Sequence, residues 1–340
     1  MGPTEEHSVI RYIIRRLLIS IPILLIGSIA AFFMVAAAGN PVAELKAKPN
    51  TTPQQIADLE ASLGLDKPII VRYWDWLVNF LQGDWGQSIA LGQAKVDVFD
   101  SVMRALWITA RLVVGAEILA LVLGVVVGVI AAVRQYSFFD YLATSSAFLM
   151  FSMPIVCVAV ILKTYGIKLN DLLQSMGIDR WLNTVSPSSD TYSGDFGDFI
   201  FKYTGNYLLP TLSLTLISFA AYSRFQRASM LETLNSDYVR TAKAKGISSR
   251  RVIFRHAFRN ALIPVSTLFS LNGAALFSGA VVTETVFSWK GMGDLLVKSV
   301  KTFDPYMLMG WLMVTATLVV IFNLVADVMY GILDPRIRLA

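Results

Sequence analysis

The sequence predicts an all-α protein that crosses a membrane six times. Three observations lead there. The 340 residues are 55% hydrophobic and only 16% charged, with a mean hydropathy of +0.58, whereas a soluble domain carries about a quarter charged residues. Six apolar runs reach or approach the roughly 20 residues that a helix needs to span hydrocarbon. Positive charge is concentrated on one side of the resulting topology, as the positive-inside rule requires.

The first run, Leu17–Ala38, follows RYIIRR and ends in VAAAGNP, which loosely resembles a secretory signal with its cleavage site. Its apolar stretch is longer than the roughly 7–15 residues of such a signal, so an uncleaved first span is expected. The second run, Trp107–Val133, carries Arg111 and Glu117 together with Gly115, Gly124 and Gly128. The third, Tyr141–Ile161, contains Pro154 and Cys157, the chain's single cysteine, which excludes an intramolecular disulfide. The fourth, Tyr207–Tyr222, is the shortest and includes Pro210. The fifth, Pro264–Phe287, contains Gly273, Gly279 and Glu284, and the sixth, Met307–Tyr330, contains Asp327. Pro154 and Pro210 are expected to kink or start helices. The glycines permit close helix approach, and GVVVG, Gly124–Gly128, has the GxxxG spacing. No run alternates with the period-2 pattern of a barrel strand, and no repeat relates the two halves as in many secondary transporters.

Charge orients the spans. Arg224–Leu262 carries nine Lys/Arg against two Asp/Glu, and the N-terminal tail and the C-terminal DPRIRL are mildly basic. Gly39–Ala105 and Thr164–Asn206 each carry two more acidic than basic residues. Both termini and Arg224–Leu262 are therefore expected in the cytoplasm. The expected organisation is a tail and first helix (1–38), a long extracytoplasmic segment (39–105), and a five-helix core (106–340). That core holds an extracytoplasmic insertion (164–206) and a cytoplasmic loop (224–262). The positive charge hugs membrane ends and no nucleic-acid-binding module is recognisable, so nucleic acid is not an expected partner.

The loop contains DYVRTAKAKGISSRRVIFRHAFRNALIPV, Asp237–Val265, which reads as helix–turn–helix. Asn235 or Ser236 can cap the first helix, with Asp237 in its first turn. Lys243 and Lys245 fall in the last turn, and Gly246 suits the position just past the helix end. Ser248 or Ser249 caps a second helix running towards Pro264. The first helix is too short to be stable alone, and Tyr238, Val239, Ala242 and Ala244 offer it a small apolar surface. On the second, Val252, Ile253, His256, Ala257 and Asn260 follow helical spacing. Two uses fit this pattern: a basic helix lying on anionic lipid, or a docking helix for a cytoplasmic partner.

Ionisable groups inside spans are functional candidates because their burial in hydrocarbon is costly. Glu117 reads either as a pair with a neighbouring helix or as a polar point on a substrate path, with Arg111 six residues away. Lys163, at the end of the third run, is expected to snorkel to the surface. Catalysis has little to build on. The dipeptide Gly-Lys never occurs, so there is no phosphate-cradling Walker loop. The only histidines are His7 and His256, too few for a histidine metal site or a nucleophile triad.

The loop stretch closely resembles the coupling loop, or EAA loop, of bacterial peptide-type ABC importer permeases. LGLDKPI (Leu63–Ile69), GDWGQS (Gly83–Ser88), LGVVVGVIAA (Leu123–Ala132), ETVFSWKGMG (Glu284–Gly293) and NLVADVMYGILDPRIRL (Asn323–Leu339) match the same family in order. The likeness covers nearly the whole chain and points to the first permease of the pair in dipeptide, oligopeptide and nickel systems. Departures are Arg240-Thr241-Ala242 in place of Glu-Ala-Ala, Lys290 in place of a proline, and Gly39-Asn40-Pro41 in place of GDP. Thr164–Asn206, with its SPSSDTYSGD tract, is longer than usual.

The resemblance implies a type I importer fold with both termini in the cytoplasm of a bacterial inner membrane. It implies a second homologous permease, two ATPase subunits that bind the ATP and Mg, and an extracytoplasmic substrate-binding protein. No cofactor is expected on this chain. The coupling residues it implies are Asp237, Tyr238, Arg240, Thr241, Ala242, Lys243, Ala244, Lys245 and Gly246. Arg250, Arg251, His256, Arg259, Asn260 and Pro264 continue the set along the second helix. Glu284 and Asp327 fall on family positions and are expected to support packing or a gate. An ion-coupled secondary transporter and a non-transporting scaffold are the rival classes.

Overall fold

The computed structural model describes residues 3–38, 42, 46, 52–62, 64–88, 96–185 and 196–333. The SPSSDTYSGD tract, Gly39-Asn40-Pro41 and the C-terminal DPRIRL lie outside the described residues. The described part is helical. In order come α1 (Pro3–Ala38), α2 (Pro53–Ser62), α3 (Ile69–Leu81), α4 (Val98–Val133), α5 (Phe138–Ser152), α6 (Ile155–Ser175) and α7 (Phe196–Leu234). There follow α8 (Asp237–Ala244), α9 (Ser249–Ala261), α10 (Ile263–Phe277), α11 (Val281–Val286), α12 (Met292–Lys301) and α13 (Pro305–Leu333).

Three of these helices are long and apolar enough to cross a membrane: Ile13–Ala37, Val98–Val133 and Pro305–Met329. The pairs α5–α6 and α9–α10 raise the number to five if each bent pair is one span. The protein is thus a polytopic, all-α membrane protein. The expected fourth span lies within α7, a 39-residue helix. It has the length, but Ser213, Thr215, Ser218, Tyr222 and Ser223 dilute its apolar character.

Two expected spans are broken. The run Tyr141–Ile161 bends by 105° between α5 and α6. Pro154 has no N–H to continue the ladder, and Met153 before it is extended at φ −81°, ψ 132°. The run Pro264–Phe287 stops at Phe277, turns through Gly279 at φ +125°, and restarts as α11. Pro210, by contrast, lies inside a continuous helix.

The chain divides into two compact units, Met1–Ile108 with Lys290–Val320, and Thr109–Trp289 with Ile321–Ala340. In the first, Tyr73, Trp76, Leu77 and Phe80 recur at helical spacing on α3 and pack on Ala31, Phe32 and Met309. Their rings continue as a ladder through Trp85 to Phe99, with centroids 4.5–6.0 Å apart. A second cluster joins Val98, Val102 and Ala105 to Met292, Met307, Trp311 and Val314. There the Trp311 indole donates to the Met292 carbonyl at 2.9 Å.

In the second unit α7 is the hub, packing against α5, α6 and α10. Its contact with α4 is a seam of small residues. A Cβ on Gly124 would stand 2.6 Å from the Tyr222 Cβ, and one on Gly128 2.7 Å from the Ser223 carbonyl oxygen. The GxxxG spacing therefore marks a close helix approach. Gly273 likewise admits the Phe322 ring, whereas Gly115 faces open space. The Lys163 ammonium donates to the Val286 carbonyl at 2.6 Å and satisfies a terminal acceptor of α11.

Candidate functional site

The helix–turn–helix forms as its sequence requires. α8 begins after Ser236, in extended conformation, and ends at Lys245. The Ser236 hydroxyl does not cap α8 but donates back to the Thr233 carbonyl at 2.6 Å. Gly246 has φ +72°. Its N–H donates to the Lys243 carbonyl at 3.0 Å, and the Ile247 N–H donates to the Ala242 carbonyl at 3.3 Å. These two bonds make a Schellman motif, whose left-handed position favours glycine. A Cβ at Gly246 would meet nothing within 4 Å, so the requirement is conformational and not one of space.

α9 is not a regular helix. Val252–Ala257 is a π-turn, which is why Val252 and Ala257, five apart, share one buried face with Ala261. Regular 3.6-residue spacing would have put His256 there, and His256 is only half-buried. The buried face of the loop comprises Val239, Ala242, Val252, Ala257 and Ala261, packed on Ala132 of α4 and Met230 of α7. Val239 and Ala242 thus anchor α8 to the chain's own helices. Asn260 donates to the Tyr238 hydroxyl at 2.9 Å and ties α9 to α8.

The other named loop residues face outward. Asp237, Arg240, Thr241, Lys243, Ala244, Lys245, Arg250, Arg251 and Arg259 are exposed, while Pro264 is exposed at the start of α10. Tyr238 and Phe254 are 45% and 58% exposed among these cations. Ser248, Arg250, Arg251, Phe254 and Arg255 line a shallow basic depression. Short-range pairing is weak: Asp237 and Arg240 stand 3.9 Å apart at full exposure, where an ion pair contributes little.

Two polar links near this loop were not foreseen. Asp140, at the start of α5, receives both forks of Arg227 of α7, at 2.6 and 2.9 Å. It also accepts from the Tyr136 N–H and the Thr144 hydroxyl. Arg224 lies over the rings of Phe148 and Phe151, 4.4 and 4.6 Å from their centroids. In sequence Asp140 reads as an ordinary first-turn acid and Arg227 as one basic residue among many. Their pairing joins positions 87 residues apart, which no local pattern encodes.

Glu117 is 2% exposed on the α4–α7 seam. Its carboxylate accepts from the Ser218 hydroxyl at 2.7 Å and from the Tyr222 hydroxyl. Asn272 of α10 approaches the same tyrosine oxygen at 3.4 Å. The network links α4, α7 and α10 and leaves both carboxylate oxygens occupied. Arg111 is exposed on α4 and is not among the Glu117 partners. Glu284 is fully buried on α11 and accepts from the Thr109 hydroxyl at 2.7 Å. Asp327 is half-buried on α13. Among the described residues no cluster of His, Cys, Asp and Glu could hold a metal ion.

Long apolar helices thus carry a basic helix pair braced on the ends of α4 and α7, which fits a membrane component that offers a polar face to a partner. Comparison with known families agrees. Residues 124–339 match the binding-protein-dependent transport system inner membrane component, and residues 9–112 match the N-terminal region of such membrane components. The chain belongs to this family and is a non-catalytic transport subunit. It is 38% identical over 328 residues to the oligopeptide transport system permease AppB of Bacillus subtilis, covering 96% of this chain and 99% of the relative. It is 35% identical over 331 residues to the oligopeptide permease OppB of Mycobacterium tuberculosis, covering 97% and 99%. It is 34% identical over 339 residues to the dipeptide permease DppB of Escherichia coli, again covering 97% and 99%.

Proposed function

We propose that the chain is the permease subunit of an ATP-driven importer of di- or oligopeptides. One observation carries this reading: end-to-end similarity to peptide-system permeases, at 34–38% identity over 96–97% of the chain. The chain forms half of the translocation path with a second, homologous permease. Two ATPase subunits supply the energy, and an extracytoplasmic binding protein delivers the peptide. In this reading the chain has six spans, with α7 as the fourth, and both termini and the loop lie on the cytoplasmic side of the inner membrane.

The loop residues Asp237 to Gly246, with Arg250, Arg251, His256, Arg259, Asn260 and Pro264, are the coupling element in this reading. Its support is geometric. The inward face of α8 is fixed by packing on α4 and α7, and the outward face presents cations and two exposed rings to a partner. A push on the rigid Gly246 turn is thereby delivered to two long helices. Coupling of this kind needs two global states that ATP biases. Glu284 supports packing beside α11, and Asp327 does so within α13. Glu117 holds helices together in the conformation described, and Arg111 is the more accessible candidate for the path.

The test is reconstitution of the chain with its partners in proteoliposomes. Labelled peptide should accumulate only with internal or external ATP on the ATPase side and with the binding protein present. Accumulation driven by an ion gradient without ATP would sink the importer class. Uptake of nickel or another small solute, with none of peptide, would overturn the substrate.

A further inference from the structure

The first unit contains a cavity of about 560 Å³ that the importer reading leaves unused. Its size falls in the roughly 300–1,000 Å³ range of small-ligand pockets. It lies between α1, α3, the GDWG turn and the start of α13. Four charged side chains line it, two cationic and two anionic: Lys67, Arg72, Asp75 and Asp84.

These charges are not equivalent. Lys67 and Asp75 neutralise one another at 2.7 Å, and this contact raises the lysine above its ordinary pKa. Arg72 has no ion-pair partner among the described residues, and its Nε is buried without any hydrogen-bond acceptor. A buried, unmatched donor on a charged group is costly and asks for an acceptor. Asp84 accepts only from the Gly86 N–H, at 3.0 Å, and no cation stands against it among the described residues. One unpaired cation and one unpaired carboxylate therefore face the same space.

The walls are aromatic and held in place. Trp76 and Trp85 flank Phe80 in the ring ladder, and Tyr306 closes the opposite side. Gly86 has φ +80°, and a Cβ there would stand 3.1 Å from the Tyr306 ring, so the turn that presents Asp84 is seated directly on that ring. Just after the turn the Ser88 hydroxyl donates to the Asp304 carboxylate at 2.6 Å.

A ligand that is only anionic leaves Asp84 opposed, and one that is only cationic leaves Arg72 opposed. A zwitterion satisfies both, an arginine fork suits a carboxylate, and indole faces suit an ammonium group or an apolar side chain. We propose that this cavity binds a short peptide by its free ends, with Arg72 taking the terminal carboxylate and Asp84 the terminal ammonium. The choice of a peptide over another zwitterion rests on the function proposed above.

The test uses the complete importer in lipid nanodiscs, without binding protein or nucleotide, titrated with Leu-Leu while tryptophan fluorescence is read. A saturable change is expected, and it should shrink in Trp85→Phe, which leaves Trp76 as the only indole lining the cavity among the described residues. N-acetyl-Leu-Leu and Leu-Leu amide should each bind at least tenfold more weakly. Arg72→Gln and Asp84→Asn should each show the same loss with an unchanged thermal melt. Asp84 is exposed, so its variant keeps the test valid if Arg72→Gln fails to fold. The proposal is overturned by the absence of a saturable change, by equal affinity for blocked peptides, or by unaltered binding in Asp84→Asn. Uptake measured in parallel separates the two readings. Uptake with no binding removes the site and leaves the importer, whereas binding with no uptake removes the peptide importer and leaves the site.

Discussion

Gly246 is where one residue's backbone decides what a loop can transmit. Its φ of +72° closes the Schellman bonds from Gly246 and Ile247 back to Lys243 and Ala242. A β-branched residue resists that conformation by about 1–2 kcal/mol. Gly246→Val should therefore leave the protein in the membrane but abolish peptide-stimulated ATPase activity of the assembled importer. Gly246→Asn, which tolerates the left-handed region, should retain most of it. Full coupling in the valine variant would show that the turn does not matter. Nearby, Ala242 and Ala244 look interchangeable in sequence but differ in burial. Ala242→Glu places an unpaired charge against Met230 and Ala257 and should lower the thermal melting point of the chain itself, by about 3 kcal/mol of stability. Ala244→Glu is exposed and should leave the melt unchanged while weakening co-purification with the ATPase.

Among the elements, the contact of α4 with α7 sets the rigidity behind the loop. Glu117, Ala120, Gly124 and Gly128 lie along one stripe of α4, and Ser218, Tyr222, Ser223 and Gln226 answer them on α7. Gly128→Leu overfills the seam, where the backbone of Ser223 and Arg227 cannot step aside. A cost of about 1–3 kcal/mol or more is expected, read as reduced accumulation in the membrane and a lower melting point. Gly115→Leu, facing open space, is the matched control and should be neutral in both readouts. The link between α5 and α7 is ionic. Asp140 is 3% and Arg227 26% exposed, so solvent screens the pair only in part. Arg227→Ala should destabilise more than Asp140→Ala, because it strands the more deeply buried charge, the carboxylate, whereas the guanidinium keeps part of its solvent. A double-mutant cycle measures the coupling directly.

At the scale of the molecule, the distribution of charge predicts the side of the membrane on which each connection lies. A tag at residue 245 should be accessible from the cytoplasm, and tags at residues 70 and 190 from outside. Cysteine labelling with an impermeant maleimide in intact cells reads this out, and external labelling at residue 245 would reverse the topology. The measurement also decides the span count. If α7 did not cross, residue 190 and the loop would lie on the same side.

The chain's sequence by itself determined that it is a helical membrane protein, where its apolar runs lie, and that a glycine-ended basic helix stands between two of them. Those features are local: apolar length, helical spacing and turn chemistry act over a few residues and can be read in order. It also announced the GxxxG seam, though only as spacing, since the same pattern occurs in helices that never touch. Tertiary structure decided the rest. It placed Ala242 inward where Ala244 looks outward, and inserted the π-turn that exchanges His256 for Ala257 on the buried face. It also joined Glu117 to Tyr222 and Asp140 to Arg227. In each case the outcome depends on which distant backbone is close enough to supply a partner or exclude water. That is a property of helices packed together, and no stretch of the sequence contains it alone.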